Sequence, residues 1–310
     1  MEVFVLRGPA LVIGALMIVT ASQSALCSEP VEKPYVSFLG TGAADIGAPK
    51  VGGCDNCKYV RENGGRNRRR FFSLLVSPDL VIDYSTTGRA GLRESKIDPA
   101  SINYVLITHS HGDHCNPASI VELAKERAKT AKGDLIFFGN AVAAKKMRDC
   151  LGSSEERIPI TVNEIGPYQE FTAGRWTCKA LPGNHDPAED CLLHVLRSGD
   201  GSIFYATDTT WFPAGTFTAL KSEKLDLAVV EGTFCDLDGP EYRTGHMTFA
   251  FDRLVKRYLF EQKIMKPGGK FALTHLSLHW CEPYDNVEPR LREEGIIVPY
   301  DGMRIELGDG

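Results

Sequence analysis

Apolar residues recur along this chain in two rhythms, and each rhythm predicts one kind of element. Short apolar runs bounded by turn residues read as strands at Tyr35–Leu39, Ser73–Val76, Leu80–Ile82, Tyr104–Ile107 and Leu135–Phe138, and again at Thr177–Leu181, Leu192–Leu196, Ile203–Tyr205, Leu227–Val230 and Phe271–Leu273. Amphipathic stretches predict helices near Pro117–Lys129, Ala141–Cys150, Phe217–Ser222, Thr248–Gln262 and Val287–Glu294. Pro117 suits a first helical turn, and Ile120, Val121 and Ala124 form an apolar stripe behind it. The elements are interspersed, with no fixed-period repeat and no low-complexity linker. Residues 28–310 are therefore expected to form one mixed α/β domain.

The first 27 residues follow neither rhythm. A continuous apolar run from Ala10 to Val19 follows Arg7 and gives way to the small and polar residues Thr20–Ala25. Such a core is too short for a comfortable membrane span and reads as a secretory signal, although Glu2 offsets the charge of Arg7. Leu26 is bulky where a lipidation site at Cys27 would want a small residue. Cleavage near Cys27, at a point left open, would give an exported periplasmic or extracellular protein with no stable membrane span. An uncleaved segment would anchor the chain instead, and a start codon placed too early would leave it cytoplasmic.

Composition narrows the class without naming a function. With 310 residues, 43% hydrophobic and 24% charged, the chain is neither disordered nor fibrous. Its formal charge of −5 lacks the basic excess of a long nucleic-acid footprint, while a few local cations or metal ions would suffice for a small anionic substrate. Nine cysteines are too dilute for a disulfide-stapled miniprotein.

The chemistry concentrates where the apolar strand at Tyr104 runs into His109, His111, Asp113 and His114. Imidazole nitrogen and carboxylate oxygen suit zinc, manganese or iron. Histidines two apart at a strand end project to one side, and Gly112 permits a sharp turn that brings Asp113 and His114 to a second position beside the first. Four such groups within six residues form a metal-site signature.

His109-x-His111-x-Asp113-His114 resembles the signature of the metallo-β-lactamase superfamily, and further pieces follow in matching order. They are Gly183-Asn184-His185 after an apolar strand, Tyr205-Ala206-Thr207-Asp208, and Leu273-Thr274-His275. Leu39-Gly40-Thr41-Gly42 matches the opening loop and Val81-Ile82-Asp83 a second-strand motif, so the resemblance spans roughly Tyr35 to Arg304. It implies an α/β (α+β) fold, a four-layer αββα sandwich with the site at one edge of its two sheets. It also implies two divalent metal ions, one held by His109, His111 and His185 and the other by Asp113, His114 and His275, with Asp208 bridging. Two such ions can share and activate a water and clamp both oxygens of a displacement. Asp83 could orient one of the histidines or merely cap a turn.

Within the superfamily, true β-lactamases carry a cysteine where this chain has Asp208; lactonases and glyoxalase II-like thioesterases share the aspartate. Two features point instead to the phosphodiesterase branches, tRNase Z-like and phosphonate-pathway cyclic-phosphate enzymes among them. The first is His246, a non-ligand histidine in Gly245-His246-Met247-Thr248 that could protonate a leaving alkoxide, or else cap the following helix. The second is Gly52-Gly53-Cys54-Asp55-Asn56-Cys57, which resembles a cysteine-rich loop holding structural zinc in the phosphonate-pathway enzymes and in a protein of pyrroloquinoline quinone biosynthesis. Four ligands are needed, and His279 and Cys281 could supply the other two; His279 is offset by one residue from the family's histidine, and Gly52 stands near its additional cysteine. In an oxidising compartment Cys54 and Cys57 could form a disulfide instead. Cys178 and Cys191 could face each other across a hairpin, while Cys115, Cys150 and Cys235 read as small buried residues. Arg66–Arg70 could contact phosphate or anchor a loop, and His194 within its apolar strand reads as structural.

The expected function is metal-dependent hydrolysis of a small cyclic or diester phosphate by a hydroxide on the dinuclear centre. His246 would serve the leaving group, and Asp113 or Asp208 would orient the nucleophile. The alternatives are a lactone or thioester hydrolase of the same fold and a non-catalytic metal-dependent carrier related to the quinone-cofactor protein. Oligomeric state leaves no trace in the sequence.

Overall fold

Thirteen strands in two mixed sheets and seven α-helices, counted among the described residues, account for the rhythms in the sequence. This computed structural model describes Met1 and residues 33–47, 53–130, 133–152, 156–239 and 245–308. The export segment expected over residues 1–27 lies outside the described residues apart from Met1, as does Gly52. Lys33–Gly310 forms one compact unit, and no helix among the described residues is long and apolar enough to cross a membrane.

The first sheet contains β1 (Tyr35–Gly40), β2 (Ser73–Val76), β3 (Leu80–Ile82), β4 (Tyr104–Leu106), β5 (Leu135–Gly139), β6 (Ile160–Glu164) and β13 (Arg304–Glu306), in the order β13-β1-β2-β3-β4-β5-β6. The second contains β7 (Glu170–Ala173), β8 (Trp176–Pro182), β9 (Leu192–Ser198), β10 (Gly201–Ala206), β11 (Leu225–Glu231) and β12 (Met265–Thr274), in the order β12-β11-β10-β9-β8-β7. The helices are α1 (Asp55–Asn63), α2 (Gly88–Glu94), α3 (Pro117–Arg127), α4 (Ala141–Gly152), α5 (Ala214–Leu220), α6 (Phe249–Glu261) and α7 (Tyr284–Glu293).

Side chains alternate across each strand, so each sheet buries both of its faces. Phe38, Leu74, Ile82 and Leu106 of the first sheet meet Trp176, Leu196, Tyr205 and Val229 of the second in a central layer. On the outer face of the first sheet, Val81, Val105 and Phe137 pack against Leu92 of α2, Ile120 of α3 and Met147 of α4. Beyond the second sheet, Val195, Phe204 and Val230 pack against Leu220 of α5, Val255 of α6 and Val287 of α7. The result is the αββα order that the resemblance implies.

Parallel pairing places the chemistry. β3, β4 and β5 pair in parallel, as do β10, β11 and β12, each set joined through helices. Loops at the carboxyl ends of parallel strands are where such sheets build binding sites. Those loops here carry Asp83, His109, Asp208 and His275.

Five elements escaped the sequence pattern. The strands β6, β7 and β13 lie at sheet edges, and short edge strands show too little burial to produce a clear alternation. The helix α1 is almost wholly polar apart from Cys57, Tyr59 and Val60. In α2, Gly88 and Gly91 interrupt the apolar period because a Cβ at either would meet the Tyr84 ring or the Leu39 carbonyl at 2.6 Å.

His194 in β9 is wholly buried, and neither of its ring nitrogens has a hydrogen-bond partner. Burial pushes its pKa down to about 3. The unfolded chain therefore binds a proton that the folded chain refuses, so this group's contribution to stability falls as pH drops below about 6.5. His194→Leu should raise stability by roughly 1 kcal/mol at pH 7 and by about 2 kcal/mol more at pH 5. Denaturant unfolding at the two pH values checks this; equal pH slopes in the two proteins would refute it.

Candidate metal centre

The motif is shaped by a turn that begins where β4 stops. Backbone N–H groups of His114 and Cys115 donate to the His111 carbonyl at 3.1 and 2.7 Å, and Asn116 then caps α3 through the Ser119 N–H. Glu189 braces this loop by accepting from the Ser110 amide and hydroxyl at 2.9 and 2.7 Å. His185 follows β8, tied to the Asp208 loop by Thr210 N–H donating to the Asn184 carbonyl. Asp208 and His275 both have left-handed backbone, with φ of 52° and 56°, as does Asp83 at 57°. Left-handed backbone at non-glycine residues costs free energy that the surrounding structure must supply, and here it gathers at the site.

The donor atoms of two trios converge. His109, His111 and His185 bring one atom each within 4.8 Å of one another, and so do Asp113, His114 and His275. His111 Nδ1 lies 3.2 Å from His185 Nε2, and His114 Nε2 lies 3.1 Å from His275 Nε2. Asp208 stands between the trios, with Oδ1 3.6 Å from His185 Nε2 and Oδ2 2.8 Å from His114 Nε2.

Each of these histidines is held from behind. His109 Nδ1 meets Thr108 Oγ1 at 3.0 Å, His111 Nε2 meets Asp186 at 3.1 Å, and His114 Nδ1 meets Asp83 at 2.8 Å. His185 Nδ1 reaches the Gly245 carbonyl, and His275 Nδ1 reaches Thr233 Oγ1, both at 2.8 Å. A proton placed on each outer nitrogen leaves an inward lone pair, the state that metal ligation requires. His109 Nε2 is buried and makes no hydrogen bond, and Asp208 Oδ2 is buried against only the imidazole nitrogens of His114 and His275, at 2.8 and 3.3 Å. Buried atoms of this kind are costly when unpaired, and a cation would satisfy both, so the residues fit a pair of divalent ions.

Electrostatics agree with a cation-binding cluster. Burial opposes charge on Asp208, yet His114 and His275 hold its carboxyl well below the ordinary range. Burial likewise opposes charge on His114, but Asp208, Asp113 and Asp83 raise it well above the usual imidazole value. His109, with burial and neighbouring imidazoles against it, is driven well below.

His246 lies beside this cluster on a cavity of about 310 Å³ that Asp113, His185, Asp208 and His275 also line. Its Nδ1 is 2.9 Å from Oε2 of Glu231, a fully buried acid at the end of β11. Burial would lower the His246 pKa, but the charge and hydrogen bond of Glu231 push it up to about 9. Glu231 also accepts from Thr209 N–H and Thr233 Oγ1. Sequence reasoning missed Glu231, Thr233 and Asp186. The one available signal was an acid closing the apolar strand Leu227–Val230.

The cysteine loop assembles only in part. Cys54 and Cys57 are not joined by a disulfide; their sulfurs are 2.9 Å apart and lie 3.4 and 3.6 Å from His279 Nδ1. Burial would raise the Cys54 pKa, but contacts with Cys57 and His279 bring it down to about 7. Cys281 is not the fourth member. It forms a disulfide with Cys235 instead, with Cα atoms 5.4 Å apart. Cys235 is therefore paired as well as buried. Cys178 faces Leu196 across the β8–β9 pair, not Cys191, and both are free thiols.

The arginine cluster is taken up by loop anchoring. The Arg66 guanidinium stacks 4.3 Å over the Tyr300 ring, Arg69 donates to Thr41 Oγ1, and Arg70 pairs with Asp301 and Glu94. None of the three lines the cavity.

Comparison with known proteins agrees with this fold. The model of the beta-lactamase superfamily domain matches residues 78–258, more than half of the chain. No curated protein sequence matches. Among solved structures, a diphosphatase of the PhnP family is similar at a TM-score of 0.68 and 17% identity, over 89% of this chain and 97% of its own. Zinc-bound PqqB from Methylobacterium extorquens gives 0.67 and 15%, over 88% and 100%. The short form of human tRNase Z gives 0.64 and 17%, over 88% and 99%. At these identities the likeness is one of fold.

Elemental analysis of metal-saturated protein should find two ions per chain at the histidine cluster and a third at Cys54, Cys57 and His279. His114→Ala should lose one of the first two, Cys57→Ser only the third, and Asp83→Asn should weaken the histidine site about 10- to 100-fold. Full metal content in His114→Ala would rule out this assignment of donors.

Proposed function

The chain belongs to the metallo-β-lactamase superfamily of hydrolases, and from that premise we propose that it is a phosphodiesterase acting on a small cyclic or diester phosphate. The observation that carries the reading is His246, an imidazole locked by buried Glu231 on the same cavity wall as Asp208 and His185. Its Nδ1, the atom 3.6 Å from Asp208, is already bonded to Glu231. That leaves Nε2 to give a proton. An imidazole in this role suits an alkoxide leaving group, which needs a proton as the phosphorus–oxygen bond breaks. The printed names of two similar structures, a diphosphatase and a tRNase, also describe phosphoryl chemistry.

His109, His111 and His185 would hold one ion, and Asp113, His114 and His275 the other, with Asp208 between them. When bound, the ions would activate a water and neutralise the phosphoryl oxygens. Asp113 and Asp208 would accept hydrogen bonds from the attacking water and orient it toward phosphorus. Its oxygen ends on phosphorus while the ester oxygen departs with the proton of His246 Nε2. The water's proton, passed through the carboxylates, restores His246. Glu231 fixes the ring and keeps it cationic until the transfer. Among the described residues, no lysine or arginine lines the cavity, which favours a small substrate over a long nucleic acid.

We also propose that the protein is exported. The Cys235–Cys281 disulfide suits an oxidising compartment and agrees with the apolar Ala10–Val19 segment. Mature protein recovered outside the cytoplasm should begin near residue 28, and an intact Met1 on that protein would contradict cleavage.

Metal-loaded enzyme should turn over 2′,3′-cyclic nucleotides and bis-p-nitrophenyl phosphate. His246→Ala should cost about 10²- to 10⁴-fold in kcat on the alkoxide-releasing cyclic substrate and much less on the activated aryl ester, which leaves without a proton. Equal losses on both would remove His246 as the acid. Lactone or thioester opening without diester turnover would favour a carboxyl hydrolase. Tight binding of an organic ligand with no turnover would favour a carrier.

A further inference from the structure

We propose that Trp280, backed by the buried ring of Phe234, forms a stacking platform for an aromatic ring, which makes the preferred substrate a phosphodiester of a single nucleoside. This rests on the phosphodiesterase reading and adds the class of the organic group. Trp280 is 49% exposed, yet the backbone on either side of it is braced by hydrogen bonds and a disulfide. On one side of it, His279 contacts the Cys54 and Cys57 sulfurs, and on the other Cys281 is bonded to Cys235. Asp45 accepts from the Ser277 hydroxyl and from the N–H groups of Leu278 and His279. Asn56 donates to the carbonyls of His279 and Cys281 at 3.2 and 2.6 Å. About half of the indole meets solvent. A rigidly held, half-exposed indole is the form that recognition surfaces take, because little further ordering is needed on binding.

The neighbouring rings connect this indole to the reaction centre. The Trp280 ring centroid lies 5.1 Å from that of Phe234, whose ring meets His246 edge-on at 5.4 Å. All three line the cavity of about 310 Å³, with Ala43 and Ala44 making its wall apolar. A leaving oxygen placed against His246 therefore points its organic group along Phe234 toward Trp280. The apolar wall and the ring faces suit a flat, weakly polar group, and the small volume suits one nucleobase, not a polymer. The disulfide joins the residues next in sequence to the two platform rings, Cys235 after Phe234 and Cys281 after Trp280, and so holds the rings at a set separation.

The test compares wild type, Trp280→Ala and Trp280→Phe, all metal-loaded. Turnover of 2′,3′-cyclic AMP is measured against glycerol 1,2-cyclic phosphate, which has no aromatic ring, and AMP binding is measured by calorimetry. Base stacking predicts that Trp280→Ala lowers the kcat/KM preference for cyclic AMP about 5- to 150-fold, mainly through KM. AMP affinity should weaken by a similar factor, and Trp280→Phe should recover most of both. Equal preference for the two diesters in wild type, or AMP binding that ignores Trp280, overturns the platform while leaving diesterase activity standing. Trp280-dependent AMP binding without turnover of either diester upholds the platform and overturns the phosphodiesterase reading. Should Trp280→Ala fail to fold, Trp280→Phe set against Trp280→Leu makes the same distinction between an aromatic and a merely apolar requirement.

Discussion

The Asp83 carboxylate is the junction on which the site depends. It is fully buried and accepts from the Thr108 amide and hydroxyl, from His114 Nδ1 and from the Tyr205 hydroxyl. Thr108 lies just past β4 and His114 in the metal-binding turn, while Tyr205 belongs to the other sheet. One buried charge thus joins the two sheets at the edge where the donors gather. A buried carboxylate is tolerated only when its lone pairs are used, so its partners are locked in position. His114 is aimed by the same contact that holds the sheets together.

Around that junction the chain accepts costs that ordinary packing would avoid. Asp83, Asp208, Cys235 and His275 all adopt left-handed backbone, and His109 Nε2 is buried without a hydrogen bond. The three-layered apolar packing that flanks both sheets offsets these costs. It also keeps the donors from relaxing outward to water, so bound cations provide the means of satisfying them. The Glu231–His246 pair extends the same logic, with a fully buried acid orienting an imidazole that faces the cavity.

The loop from Ser277 to Cys281 shows how a rim is stiffened when no regular element supports it. Contacts with Asp45 and Asn56, with two cysteine sulfurs and with the Cys235 disulfide replace the missing ladder of hydrogen bonds. The site therefore has a firm interior set by the sheets and a firm entrance set by crosslinks. Specificity at the entrance can change with single side chains without disturbing the donors beneath.

Much of the architecture was readable from sequence because it depends on local periodicity. The apolar runs Leu192–Leu196 and Tyr104–Ile107 marked strands that exist with nearly those bounds, and the dense spacing from His109 to His114 announced its chemistry within six residues. Edge strands such as Glu170–Ala173 and the glycine-broken helix at Gly88 left no comparable signal, since their stability comes from neighbours remote in sequence. Partner choice was equally hidden. Cys281 could join Cys54 and Cys57 or pair with Cys235, and only the fold, which brings Cys235 beside it, decides. Arg69 and Arg70 could have met a substrate, yet Thr41 and Asp301 claim them. Glu231 looked like the end of a strand until the fold carried His246 to it. The sequence by itself determined which donors the protein owns and which faces of its strands must be buried. The tertiary structure alone decided who meets whom, because those pairings span tens to hundreds of residues and no local pattern encodes a distance in space.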